Sequence, residues 1–115
     1  MFRIQQITDN AYQQQTLVLP DGESIFIQIE YKPMQYGWFI RRLEYLDFVI
    51  NGVRICTSPN LLYAFKNQIP FGLACTTEAN NEPTQQQDFS SGRSKLYILT
   101  AEEVEALQEF YENEV

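Results

Sequence analysis

Hydrophobic and polar residues alternate along much of this chain, most clearly from Ser24 to Tyr31. Ile25, Ile27, Ile29 and Tyr31 fall on one face of an extended segment and Ser24, Phe26, Gln28 and Glu30 on the other, the period-two pattern of a half-buried strand. Thr16, Leu17, Val18 and Leu19 precede it, and Asp21 with Gly22 between the two runs predicts a hairpin turn, which Pro20 beside it loosens. Trp38, Phe39, Ile40 and Leu43 form the next run, followed by Phe48, Val49 and Ile50. Asn51 and Gly52 then carry the strongest turn signal in the chain, because a type I′ turn needs positive φ at both central positions. Val53, Arg54, Ile55 and Cys56 are therefore expected to return antiparallel.

Ser58, Pro59 and Asn60 interrupt the alternation, and Leu61 to Phe65 reads as one helical turn or a tucked loop. A strand from Leu73 to Thr77 follows the breakers Pro70 and Gly72. Residues 78–94 are polar, with Phe89 as the large apolar exception, and predict a long exposed loop. Leu96 to Leu99 make the last strand. Thr100 and Glu103 then form a capping box, in which each side chain satisfies the other residue's free backbone amide. Val104, Leu107, Phe110 and Tyr111 recur at helical spacing behind it. The expected architecture is all-β, a small antiparallel barrel-like or sandwich domain of six to seven strands with one C-terminal helix. One domain covers residues 1–115, as a β body over 1–99 and an acidic helix over 100–113.

Charge refines this division. The net charge of −7 is concentrated at the end of the chain: Glu102, Glu103, Glu105, Glu109, Glu112 and Glu114 stand against a body with nine acidic and eight basic residues. The run reads as a solvated helix face, or as a contact for a basic patch on a neighbour. Such a balance argues against nucleic acid or an anionic membrane as partner. No apolar run reaches the roughly 18–20 residues that span a bilayer, and the start MFRIQQITDN lacks the blocks of a signal peptide, so the protein is expected in the cytoplasm where it is made.

Chemistry is scarce. The chain has no histidine, which removes the commonest general base and metal-binding nitrogen, and Cys56 and Cys75 have neither zinc nor redox spacing, so both read as structural thiols. Glu44 and Asp47 read as exposed strand-end charges, and the serines have no histidine to activate them. No catalytic residue, metal or cofactor is expected. Tyr36, Trp38, Phe39, Arg41 and Arg42 have the composition of an interface hot spot, or of a base-stacking surface on an oligonucleotide-binding fold. Simple alternation splits them, with Trp38, Ile40 and Arg42 on one face and Phe39, Arg41 and Leu43 on the other. Trp38 itself reads as core or as an interface anchor. Clusters at Gln5–Gln6, Gln13–Gln15 and Gln85–Gln87 supply uncharged polar surface, which can be covered by a neighbour without the desolvation cost of ions.

Taken in order, the segments IFIQIEYKP, YGWFIRRL, NGVRI with SPNLL, IPFGLACTT and KLYIL before an acidic helix resemble the baseplate plugs, a family of small baseplate proteins of contractile-tailed bacteriophages described for a cyanophage. Tyr31, Trp38, Gly52, Leu61, Leu62, Pro70, Gly72, Leu96 and Tyr97 carry the likeness. The chain departs from it at Arg41 and Arg42 and in its longer, more acidic helix. The resemblance implies a non-enzymatic structural subunit of the virion tail baseplate, assembled in the host cytoplasm. Its implied partners are other copies of itself in a symmetric ring, a trimer or hexamer, together with the hub or spike and the tail tube. Tyr36, Trp38, Arg41, Arg42, Phe65, Phe89, Glu105, Glu109 and Glu112 are the expected contact residues. The alternative is a small β-barrel that binds an oligonucleotide, a small molecule or a sugar.

Overall fold

A computed structural model describes residues 2–114, with side chains through Leu107 apart from that of Asn80. Seven strands run in the order β1 (Phe2–Arg3), β2 (Tyr12–Val18), β3 (Ser24–Lys32), β4 (Gly37–Tyr45), β5 (Phe48–Arg54), β6 (Gly72–Thr77) and β7 (Ser94–Leu99), and helix α1 (Ala101–Glu114) closes the chain. They form two antiparallel sheets, β2-β3-β4-β5 and β1-β7-β6. Neither sheet closes on itself, so the expected barrel is absent and the sandwich alternative describes the fold.

The alternation of β3 places Ile25, Ile27 and Ile29 in the interior, with Trp38, Ile40 and Leu43 of β4 beside them. Leu73 and Cys75 of β6 and Leu96 and Ile98 of β7 meet them from the other sheet. Ala74 and Leu99 face the opposite way and are covered by Val104 and Leu107 of α1 in a second, smaller cluster. The layers are therefore helix, three-stranded sheet, core and four-stranded sheet, whose outer face is left uncovered by the described residues. The capping box forms as the sequence predicts: Glu103 Oε1 accepts from the Thr100 amide at 3.1 Å and Thr100 Oγ1 from the Glu103 amide at 3.3 Å. Phe110 and Tyr111 lie outside the residues with described side chains.

Three expectations are corrected. Asn51 and Gly52 are not a turn: they lie inside β5, where Phe48–Ile50 and Val53–Arg54 belong to one strand. The reversal comes earlier, at Leu46 and Asp47, between the paired residues Tyr45 and Phe48. Gly52 does use a positive φ of +73°, but for a change of phase within the strand. It lies at the level of Arg41, where β4 bulges against β3 and the pairing moves from Ile29–Ile40 to Gln28–Arg42. An extra residue on one strand shifts its inward positions by one. Ile40 and Leu43 therefore both point inward while Arg41 and Arg42 both point outward, so the strict alternation expected across this stretch fails.

Residues 78–94 are the third case. They form a loop whose outward side chains, such as Glu78, Gln87 and Ser90, are exposed as expected, but it is strapped over Trp38 with Pro83, Asp88 and Phe89 buried. The Trp38 indole N–H donates to the Gln85 carbonyl at 3.1 Å, and the Tyr31 hydroxyl to the Thr84 carbonyl at 2.7 Å. Phe89 meets Trp38 edge to face at 5.7 Å. The Asp88 carboxylate holds the strap's curvature by accepting from the Gln85 amide and from the Arg93 guanidinium, each at 2.8 Å.

The free thiols Cys56 and Cys75 lie beside this strap, Cys75 buried and Cys56 half-buried. Burial pushes the Cys75 thiol up to about 12, and burial together with the Glu82 carboxylate raises that of Cys56. Between the ordinary thiol range and pH 12 the unfolded chain releases a proton that folded Cys75 keeps. Stability should therefore fall as pH rises from about 9, by at most about 1.4 kcal/mol per pH unit for this group. Urea unfolding between about pH 8.5 and 10 should show that slope in the natural protein and a shallower one in Cys75→Ala. Equal slopes would remove Cys75 as the source.

Candidate assembly surface

Register across the four-stranded sheet sets out the uncovered face row by row. Thr16, Phe26, Glu44 and Val49 form one row, Gln14, Gln28, Arg42 and Asn51 the next, and Tyr12, Glu30, Phe39 and Arg54 the third. The middle row is polar and internally bonded, with Gln28 donating to the Gln14 amide oxygen at 3.0 Å. Arg42 lies on Glu44 at 2.6 Å.

The third row ends in a basic and aromatic cluster. The Arg41 guanidinium lies over the Tyr12 ring at 4.7 Å, while Lys32 and Arg54 lie over Phe39 at 4.6 and 5.3 Å. Stacking of this kind holds the cations in place while leaving them hydrated. Arg54 also donates to the carbonyls of Gln35 and Tyr36. Glycine at residue 37 leaves room for it in this position, since a Cβ there would stand 2.6 Å from the guanidinium and the side chain would have to shift. Half of the chain's eight basic residues, Lys32, Arg41, Arg42 and Arg54, thus gather on or beside one face.

Apolar residues are exposed at both ends of this sheet. Met34 and Tyr36 are 91% and 67% exposed at the β3–β4 connection, and Val18 and Leu46 are 68% and 70% exposed at the other end. Tyr36 and Leu46 flank β4 with φ of 50° and 52°, a left-handed conformation that is uncommon for side chains of this size.

The expected contact residues divide accordingly. The structure brings Arg41 and Arg42 together on the outer face, with Tyr36 at its end. Trp38 and Phe89 are buried against each other in the interior, where they support the sheet and cannot touch a neighbour in this conformation. Phe65 is half-buried on Phe48 at 5.8 Å. Glu105 is exposed on α1, whereas Glu109 and Glu112 lie outside the residues with described side chains. Sequence reading named none of Tyr12, Gln14, Gln28 and Arg54 as contact residues, although it set Gln14 and Gln28 on polar surface. The alternation of β2 and β3 marks the first three as facing away from the core, and only Arg54 lacked such a signal, because its phase depends on Gly52.

The protein-family model described as cyanophage baseplate Pam3 plug gp18 matches residues 1–102. This chain belongs to that baseplate plug family. The match covers both sheets, the strap and the first two residues of the helix. Membership assigns the protein a structural role in the phage tail baseplate, among other baseplate proteins. No curated protein matches the sequence.

Proposed function

We propose that the protein is a plug subunit that closes the distal end of the tail tube, links it to the central hub or spike, and does so as a ring of three or six copies. Beyond family membership, one feature supports this reading: a four-stranded sheet face carrying aromatic, arginine and amide side chains on which none of the described residues packs. Tyrosine and arginine are enriched where protein interfaces concentrate their binding energy. The sandwich supplies a rigid platform beneath the face, so docking orders few backbone groups and little affinity is lost to entropy. No catalytic role enters the proposal. The alternative reading of a barrel with a central ligand site finds no barrel here, since neither sheet closes on itself.

The reading is tested by size-exclusion chromatography with light scattering of the purified protein, alone and with the hub and tail-tube proteins of the same phage. A complex with at least one of them is expected. Elution as an unchanged monomer beside both would end the plug reading.

A further inference from the structure

The two charge imbalances of this chain lie in different layers. On the outer sheet face Glu30 is 3.8 Å from Lys32 and Glu44 neutralises Arg42, but among the described residues no ion pair reaches Arg41 or Arg54. The opposite excess is the run of six glutamates in α1, of which Glu102 and Glu105 are exposed where described. α1 packs on the outside of the three-stranded sheet through Val104 and Leu107. Both sheets and the core therefore separate it from the basic face of its own chain, and the complementary surfaces can meet only between copies.

We propose that the outer face of the four-stranded sheet, at Arg41, Arg42 and Arg54, receives helix α1 of a second copy of this chain. The proposal rests on the reading of the plug as a ring. The dimensions agree: fourteen helical residues extend about 21 Å, and strands of seven to nine residues extend about 23–30 Å, so the face can seat the helix along its length. Because helix and face are different surfaces, the contact is heterologous. Each copy presents one donor and one acceptor surface, and a closing rotation gives a ring while any other gives an open chain. A single helix covers a footprint of roughly 200 Å² at a diameter of about 10 Å, well under the roughly 800 Å² per partner of a stable interface. The contact is thus weak and electrostatic, and it strengthens when a neighbouring protein holds the copies together. The family match ends at residue 102, so the receiving face lies within the matched span and all but the first two residues of the acidic helix lie beyond it.

Sedimentation of the full chain decides the matter. At about 50 mM salt and protein concentrations to about 500 µM, reversible self-association is expected, weakened at least about tenfold at about 300 mM salt, where the Debye length is shorter. R41E/R42E on the face, and separately E105K/E109K/E112K on the helix, should each abolish it. A mixture of the two variants should recover it, because each retains one natural surface. Circular dichroism of each variant establishes that it is folded, and the helix variant leaves the sheet untouched should the face variant fail. A natural protein that stays monomeric throughout, association unaffected by salt, or association surviving either charge reversal would overturn the contact. Binding to the hub or tube protein, measured on the same samples, separates the outcomes. A monomer that still binds them overturns the helix contact and leaves the plug reading standing.

Discussion

Trp38→Ala is expected to destabilise the protein by about 3–5 kcal/mol, the range for removing a large aromatic side chain from a packed interior. Trp38 is fully buried and meets Tyr31 at 5.5 Å and Phe89 at 5.7 Å, so truncation opens a cavity between sheet and strap. It also leaves the Gln85 carbonyl without its indole donor, a smaller loss of about 1 kcal/mol. Trp38→Phe should cost less than Trp38→Ala, since it removes the hydrogen bond but leaves a smaller cavity. Urea unfolding followed by circular dichroism measures both, and a Trp38→Ala cost below about 1 kcal/mol would show that the strap does not depend on this residue.

Asp88→Ala should be the next most damaging change, at about 2–3 kcal/mol. Breaking a buried charge pair by removing one partner costs about 3–5 kcal/mol, reduced here because the Arg93 side chain remains 31% exposed and can turn to water. The Gln85 amide loses its acceptor at the same time. Trp38 is the only tryptophan in the chain, so its emission reports on the strap directly. The variant should show a red shift and faster proteolysis within residues 78–94. Unchanged emission together with a stability loss under about 0.5 kcal/mol would mean that Asp88 does not latch the strap. Because Trp38 and Asp88 act on one segment, the double variant should cost less than the two single changes added together.

These two residues lie behind the assembly surface and Arg41 and Arg42 lie on it. Core variants should therefore lower stability and reduce association only as far as they unfold the protein. Face variants should do the reverse, lowering association while the melting curve stays near that of the natural protein. This separation distinguishes a docking platform from a sheet that merely supports the fold.

The alternation of β3, the Asp21–Gly22 turn and the capping box at Thr100 were legible in the chain itself because each depends on neighbours two or three residues away. An isoleucine at every second position has one inward face whatever the rest of the molecule does, and a threonine three residues before a glutamate can satisfy two free amides without outside help. The order of strands and punctuation was also enough to indicate the plug family. The outer face was not legible in this way. Asn51 and Gly52 permit positive φ, but positive φ serves a turn and a phase change within a strand equally well. Pairing with β4 decided between them, and the bulge at Arg41 then placed both arginines outside. The strap was decided at still longer range. A polar segment is exposed when water is its best partner, and residues 78–94 are held down at their centre because the hydroxyl of Tyr31 and the indole of Trp38, some fifty positions earlier, donate to the Thr84 and Gln85 carbonyls.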